Sequence, residues 1–179
     1  MLTFGGVMCQ IVSKKGGKVA SNDIDQMIPV AAGGGFASNF LHSLDPKKRL
    51  TIPAVWRDQV GAPKSLYVLP GLNNEKCLYV YPACEMARRL EKFRKISIGD
   101  KKARMFARLL ASSSDLIAWD SQGRIRIKDE LLVSAGIVSR VKLIGAWDRF
   151  ELWSPEEWDK NSGSIDQVAM EDAVRYVEF

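Results

Sequence analysis

The sequence predicts an α+β fold, a β-rich core built twice along one chain with helices flanking and joining the two copies. The first observation is an internal repeat. With Leu44–Gly61 laid over Trp119–Gly136, Asp45 falls on Asp120, Arg49 on Arg124 and Gly61 on Gly136, while Leu50 and Ile52 fall on Ile125 and Ile127. The second is that the apolar register continues through later segments. "LYVL" at 66–69 falls on "VKLI" at 141–144, and "LYVYP" at 78–82 falls on "FELWS" at 150–154. A shared motif followed by matching strand-like segments is the signature of duplication.

Each copy then reads in the same order. A turn with Asp…Arg leads into a short alternating strand whose inward positions are Leu50 and Ile52, or Ile125 and Ile127. A short helix follows, opened by Pro53 or Asp129, and a glycine (Gly61 or Gly136) is expected to close it at the C′ position. Two more strands come next, then a second helix. "SPEEW" at 154–158 places Ser154 to cap, Pro155 in the first turn and Glu157 to complete a capping box. In the first copy the matching helix, from about Pro82, carries Met86, Leu90 and Phe93 on one face; a further helix over 101–111 carries Phe106, Leu109 and Leu110. The expected division is a flexible extension over 1–37, one repeat over 38–85, a basic helical linker over 86–114, a second repeat over 115–160 and an acidic tail over 161–179. The extension is rich in Gly, Ser and Ala without sustained periodicity. Its "AAGGG" lacks both the GxGxxG spacing and the preceding strand of a phosphate loop.

Charge is distributed unevenly. The chain of 179 residues has a formal net charge of +5, which permits a polyanionic partner without establishing one. Residues 86–108 carry nine cations against Glu91 and Asp100, whereas residues 148–179 carry nine acids against Arg149, Lys160 and Arg175. A basic middle and an acidic end suit a polyanion site or contact between subunits, and equally suit solvated helix faces. Three cysteines (Cys9, Cys77, Cys84) without a CxxC indicate neither a disulfide framework nor a zinc site, and reduced thiols are expected. No apolar run reaches the roughly 18 residues of a spanning helix, and the start lacks the features of a signal peptide.

An aspartate four residues before an arginine, across a polar turn, has two readings. In the structural one, the carboxylate accepts backbone N–H groups and pairs with the arginine to fix the strand entry. In the functional one, the arginine held by that carboxylate offers its planar fork to phosphate or a guanine edge. Lys47, Lys48, Arg126 and Lys128 surround the pair with more cation than a turn requires.

At these residues the chain resembles a known family. "SLDPKKRLTIP" and "WDSQGRIRI", the linking "ARLLASSSD" and the closing "FELWSPEEW" resemble the MraZ family of bacterial transcriptional regulators over about residues 36–160. The resemblance implies two SpoVT-AbrB-type swapped-hairpin domains, related by a pseudo-twofold axis within the chain. It further implies a DNA-binding protein of the cytoplasm and nucleoid. Such a protein assembles into a homo-oligomeric ring and binds double-stranded DNA at direct repeats upstream of its own division and cell-wall operon. Asp45, Arg49, Asp120 and Arg124 match the family motif. DNA contact is expected from Arg49, Arg124, Lys47, Lys48 and Arg126, with Asp45 and Asp120 orienting the arginines. Two positions depart from the family pattern: Lys48 stands where a glycine is usual, and Lys128 where a proline is.

An enzyme finds little support: His42 is the lone histidine, and no nucleophile–base pair, metal cluster or phosphate loop stands out, so no cofactor, small-molecule substrate or membrane partner is expected. A ring-forming scaffold, whose basic belt over 86–108 binds the acidic region of a neighbour, is compatible with DNA binding. The aromatic residues Trp119, Trp147, Trp153, Trp158, Tyr79 and Tyr81 read mostly as core or interface rather than as stacking platforms for single strands.

Overall fold

In the computed structural model, residues 35–61, 63–95, 97, 99–163 and 167–177 are described. The elements run β1 (Asn39–Ser43), β2 (Arg49–Thr51), α1 (Ala54–Arg57), β3 (Ser65–Pro70), β4 (Cys77–Pro82), α2 (Ala83–Arg94), α3 (Lys101–Ser113), β5 (Asp115–Ala118), β6 (Arg124–Arg126), α4 (Asp129–Ser134), β7 (Arg140–Gly145), β8 (Phe150–Trp153), α5 (Pro155–Ser162) and α6 (Gln167–Tyr176). Residues 1–34, which include most of the expected extension and Cys9, lie outside the described residues.

All strand pairs are antiparallel. Six strands form one sheet in the order β1-β7-β8-β4-β3-β5, and β2 pairs with β6 in a two-stranded sheet. Exchanging the copies (β1 with β5, β3 with β7, β4 with β8) turns the six-strand order into its own reverse. The first strand of each copy therefore pairs in the other half. Asn39 in β1 lies opposite Ile144 in β7, and Ser65 in β3 opposite Ala118 in β5. The copies meet centrally, where β4 runs beside β8.

Alternation along the strands sends one set of side chains to each face. Leu66, Val68, Leu78, Val80, Val141, Leu143, Phe150 and Leu152 point to the face covered by β2, β6, α1 and α4, and all are fully buried. Leu50, Ile52, Ile125 and Ile127 complete that core, each contributing about 1.5–3 kcal/mol on burial. Trp56 on α1 is wedged among Phe36, Phe40 and Phe150, with ring centroids 5.7, 5.0 and 5.1 Å away. Its indole N–H donates to the Ala37 carbonyl at 3.0 Å. Gly35–Ala37, the last positions of the expected extension, are thus tied into the core: Phe36 is buried and bonds Trp147 through the backbone in both directions.

On the opposite face Leu69, Tyr81 and Met86 form a smaller cluster with Tyr67, Tyr79, Leu90 and Leu110 from β3, β4, α2 and α3. Here the periodic expectation for the second helix holds only in part. α3 has no buried residue, and Met105, Phe106 and Leu109 are exposed, with Phe106 stacking on Phe93 at 6.0 Å. Spacing marks the apolar face correctly; Leu110 meets the small cluster and Phe106 meets α2, while Met105 and Leu109 stay exposed.

The helix signals sort by copy. Gly136 (φ +65°) closes α4 in a Schellman arrangement, its N–H bonding Val133 O at 3.0 Å and that of Ile137 bonding Leu132 O at 2.9 Å. The first copy departs from this. α1 ends at Arg57 with Asp58 as its cap, so Gly61 (φ +70°) turns the chain beyond the helix rather than closing it. At α5 the Ser154 hydroxyl accepts the Glu157 N–H at 3.2 Å as expected, but the Glu157 carboxylate turns to Lys160 at 2.8 Å and does not close the capping box. A lysine one turn along outcompetes the backbone for that carboxylate.

Candidate nucleic-acid interface

The two Asp…Arg turns have nearly the same geometry. In the first, Asp45 Oδ1 accepts the N–H groups of Lys47 (2.8 Å) and Arg49 (2.9 Å), and Oδ2 takes Arg49 Nε and Nη2 at 2.7 and 2.6 Å. In the second, Asp120 Oδ1 accepts from Gln122 (2.9 Å) and Arg124 (3.0 Å), and Oδ2 takes Arg124 Nε and Nη2 at 2.8 and 2.7 Å. Backbone bonds clamp both loops, Asp45 N–H to Arg49 O at 3.0 Å and Asp120 N–H to Arg124 O at 2.9 Å. One carboxylate thus satisfies the turn backbone and grips the guanidinium side-on. Nη1 is the outer nitrogen, and it lies on the side away from the gripping oxygen.

β2 and β6 bring the turns together. Arg49 lies opposite Arg126 and Thr51 opposite Arg124, while Leu50 and Ile125 anchor the ladder in the core. Arg49 Nη1 sits 3.8 Å from Asp120 Oδ2, so the first arginine also addresses the second turn's carboxylate. Arg49, Arg124, Asp45 and Asp120 form one cluster from residues 75 positions apart in sequence.

The remaining expected residues diverge. Lys47 is exposed at the tip of the first turn. Lys48 reaches away, its Nζ 3.3 Å from Val138 O. Arg126 faces the start of α4, donating to Ile127 O and pairing with Asp129 at 3.1 Å. Lys128 pairs with Asp115 at 3.0 Å, which neutralises the charge added where the family has proline. The motif pairs are balanced too, aspartate against arginine. Lys47, Lys48, Arg57 and Lys64 are the cations near the turns that form no ion pair among the described residues. Arg57 had no signal in the local sequence: the fold brings its guanidinium against Gly123, in the other copy's turn.

Hydrogen bonds from the Arg124 side chain, then from its backbone N–H, hold the Asp120 carboxyl down at a pKa of about 2 against 3.8 ordinarily. Asp45 is lowered by the equivalent bonds from Arg49. A carboxylate whose folded pKa is depressed contributes stability above its unfolded value, and loses it as pH falls through the folded one. Stability in wild type should therefore decline between about pH 4 and pH 2 through these groups. Asp120→Asn should be less stable at neutral pH, and the difference from wild type should close over that same window. Urea melts at stepped pH check this; a constant difference across the window would contradict it.

Lys48 has φ +58°, a left-handed conformation that favours glycine, and the matching Gly123 has φ +75°. Lys48→Gly should raise stability by about 0.5–1 kcal/mol, because the strain of a non-glycine residue there exceeds the entropy that glycine adds to the unfolded chain. A thermal melt reads this directly; an unchanged or lower midpoint would show that the lysine stem compensates by packing.

His42 Nδ1 donates to Thr51 O at 2.8 Å, a structural bond between β1 and β2. Among the described residues no three His, Cys, Asp or Glu side chains are grouped to hold a metal ion. No described helix is long and apolar enough to cross a membrane.

Comparison with known proteins agrees with the motif. Residues 110–176 match the family model described as "MraZ protein, putative antitoxin-like". The chain is similar to proteins named transcriptional regulator MraZ. That from Finegoldia magna is 33% identical over 127 residues, 71% of this chain and 86% of the relative. That from Clostridium tetani is 36% identical over 132 residues, 73% and 90% of the two. That from Clostridium acetobutylicum is 34% identical over 136 residues, 75% and 93% of the two.

Proposed function

Because the chain belongs to the MraZ family, we propose that it is a sequence-specific DNA-binding transcriptional regulator that reads DNA with its paired Asp…Arg turns. The observation that carries this reading is the joining of both turns by the β2–β6 ladder. Two guanidiniums, each fixed side-on by its own aspartate, stand on one short ribbon. A pre-set planar fork loses little entropy on meeting phosphate or the O6/N7 edge of guanine, and a two-stranded ribbon fits a major groove. The balanced motif pairs add shape and geometry; the nearby unpaired cations add attraction to the backbone.

The strand order that reverses onto itself supports two SpoVT-AbrB-type repeats over 38–85 and 115–160 with exchanged first strands. The exposed apolar face of α3 supports assembly with further copies, and a ring would let several turns meet several direct repeats, multiplying weak contacts. The operator would lie upstream of the protein's own operon, and the protein would work in the cytoplasm at the nucleoid. The family's members named above are regulators and not enzymes. Fluorescence anisotropy on a duplex carrying the repeats upstream of this gene, against a scrambled duplex of equal length, tests the reading. A preference that persists as salt rises supports it; equal affinity for both duplexes overturns it.

A further inference from the structure

Beside the second turn lies a groove of about 630 Å³, walled by α1 on one side and by Asp120, Ser121 and Gly123 on the other. Arg57 and Lys64 bring cations to it. We infer that this groove binds a phosphate group, with Arg57 as its central cation, and, resting on the function proposed above, that the phosphate is one of the DNA backbone.

Arg57 is half-buried, forms no ion pair among the described residues, and its Nε is buried without a hydrogen-bond partner. A partly desolvated guanidinium left unpaired is costly, and an arriving oxyanion removes that cost. The turn is shaped to hold the guanidinium at the groove. A Cβ at Gly123 would collide with Arg57 Nη1 and lie 2.8 Å from its Cζ, so a side chain there would displace the guanidinium from this backbone. Gly123 also has φ +75°. Neither part is repeated in the other copy, where Lys48 replaces the glycine and buried Leu132 replaces the arginine. The groove therefore belongs to one turn only and makes the two turns unequal.

Two acids line the same groove. Asp120 is neutralised by Arg124 and by two backbone N–H groups. Asp58 is exposed and forms no ion pair among the described residues, so it opposes an anion and sets a limit on affinity. Lys64, also exposed, supplies the second cation.

Arg57→Gln, Lys64→Gln and Asp58→Asn, with wild type, would be melted in inorganic phosphate and in chloride at matched ionic strength. They would then be titrated with the repeat duplex and its scrambled counterpart across a salt series. Phosphate should raise the wild-type midpoint beyond the increment that Arg57→Gln shows, Lys64→Gln should reduce this excess, and Asp58→Asn should enlarge it. On DNA, Arg57→Gln should make the log K against log salt slope shallower by about 0.9 and leave the ratio between the duplexes unchanged. A wild-type phosphate response matched by Arg57→Gln, or no response in wild type, overturns the site. If Arg57→Gln fails to fold, an unaltered phosphate response in Lys64→Gln overturns it instead. Loss of the phosphate response in Arg57→Gln, with no duplex preference in wild type, would uphold the phosphate site while refuting the regulator reading.

Discussion

Replacing Arg49 and Arg124 together with alanine should abolish discrimination between the repeat duplex and a scrambled one. A well-placed bidentate arginine is worth about 1–3 kcal/mol of base discrimination, so losing two corresponds to about 2–6 kcal/mol, or roughly 30-fold to 10⁴-fold. The truncation also frees Asp45 and Asp120, whose carboxylates are held ionised and would then face the DNA uncompensated. Arg49→Lys/Arg124→Lys separates these effects, since it keeps the charge but cannot reproduce the side-on pair through Nε and Nη2. Alanine should cost specificity and weaken binding to both duplexes. Lysine should cost specificity while leaving non-specific binding and its salt slope near wild type. If the lysine variant discriminates as well as wild type, the turns act as point charges and base reading lies elsewhere. If the alanine variant discriminates too, both pairs are structural supports for the ribbon.

The largest effect on stability is expected at Trp56. Trp56→Ala should cost about 3–5 kcal/mol, since it removes a fully buried indole from a packed aromatic group and orphans the carbonyl of Ala37. For a chain of this size that lowers the melting midpoint by roughly 6–20 °C. Trp56→Phe should recover much of the loss, because Phe40 and Phe150 still have a ring to pack against, but not the hydrogen bond. A cost below about 1 kcal/mol for alanine would mean that the aromatic group collapses onto the space. The variant also bears on DNA binding, as Trp56 and Arg57 are neighbours on a helix of four residues. A loosened α1 should lose the phosphate response before the core unfolds.

How much of this was legible in the sequence follows from the range of the interactions. The turns were legible because their bonds are local: a carboxylate accepting from residues two and four positions on is written in the spacing of Asp45 to Arg49 and of Asp120 to Arg124. The same holds for the Schellman closure at Gly136 and the Ser154 cap. The inward positions Leu50, Ile52, Ile125 and Ile127 followed from alternation alone. What connects distant segments left no local trace. The place of Phe36 in the core depends on α1 and β8, and the contact of Arg57 with Gly123 exists only because β2 and β6 pair across the copies. Periodicity likewise marked α3 as amphipathic, but could not say whether anything covers Phe106 and Leu109. Arg126, one of the cations around the second motif, is instead paired with Asp129 three residues along.

The pairing of β1 with β7 also bears on how the protein is made. Asn39 in β1 waits for Ile144 in β7, about 100 positions later. At a ribosomal rate of about 5–20 residues per second, some 5–20 seconds separate the emergence of the two. During that interval β1 has no partner strand, and the β3–β4 hairpin, joined at its β3 edge by β5, keeps its β4 edge open until β8 arrives. The first half cannot finish folding as it leaves the ribosome; both halves must close together once β8 is out. Nascent chains stalled before β7 should therefore be protease-sensitive and depend on chaperones, and a chain cut between α2 and α3 should recover its fold only when both pieces are present.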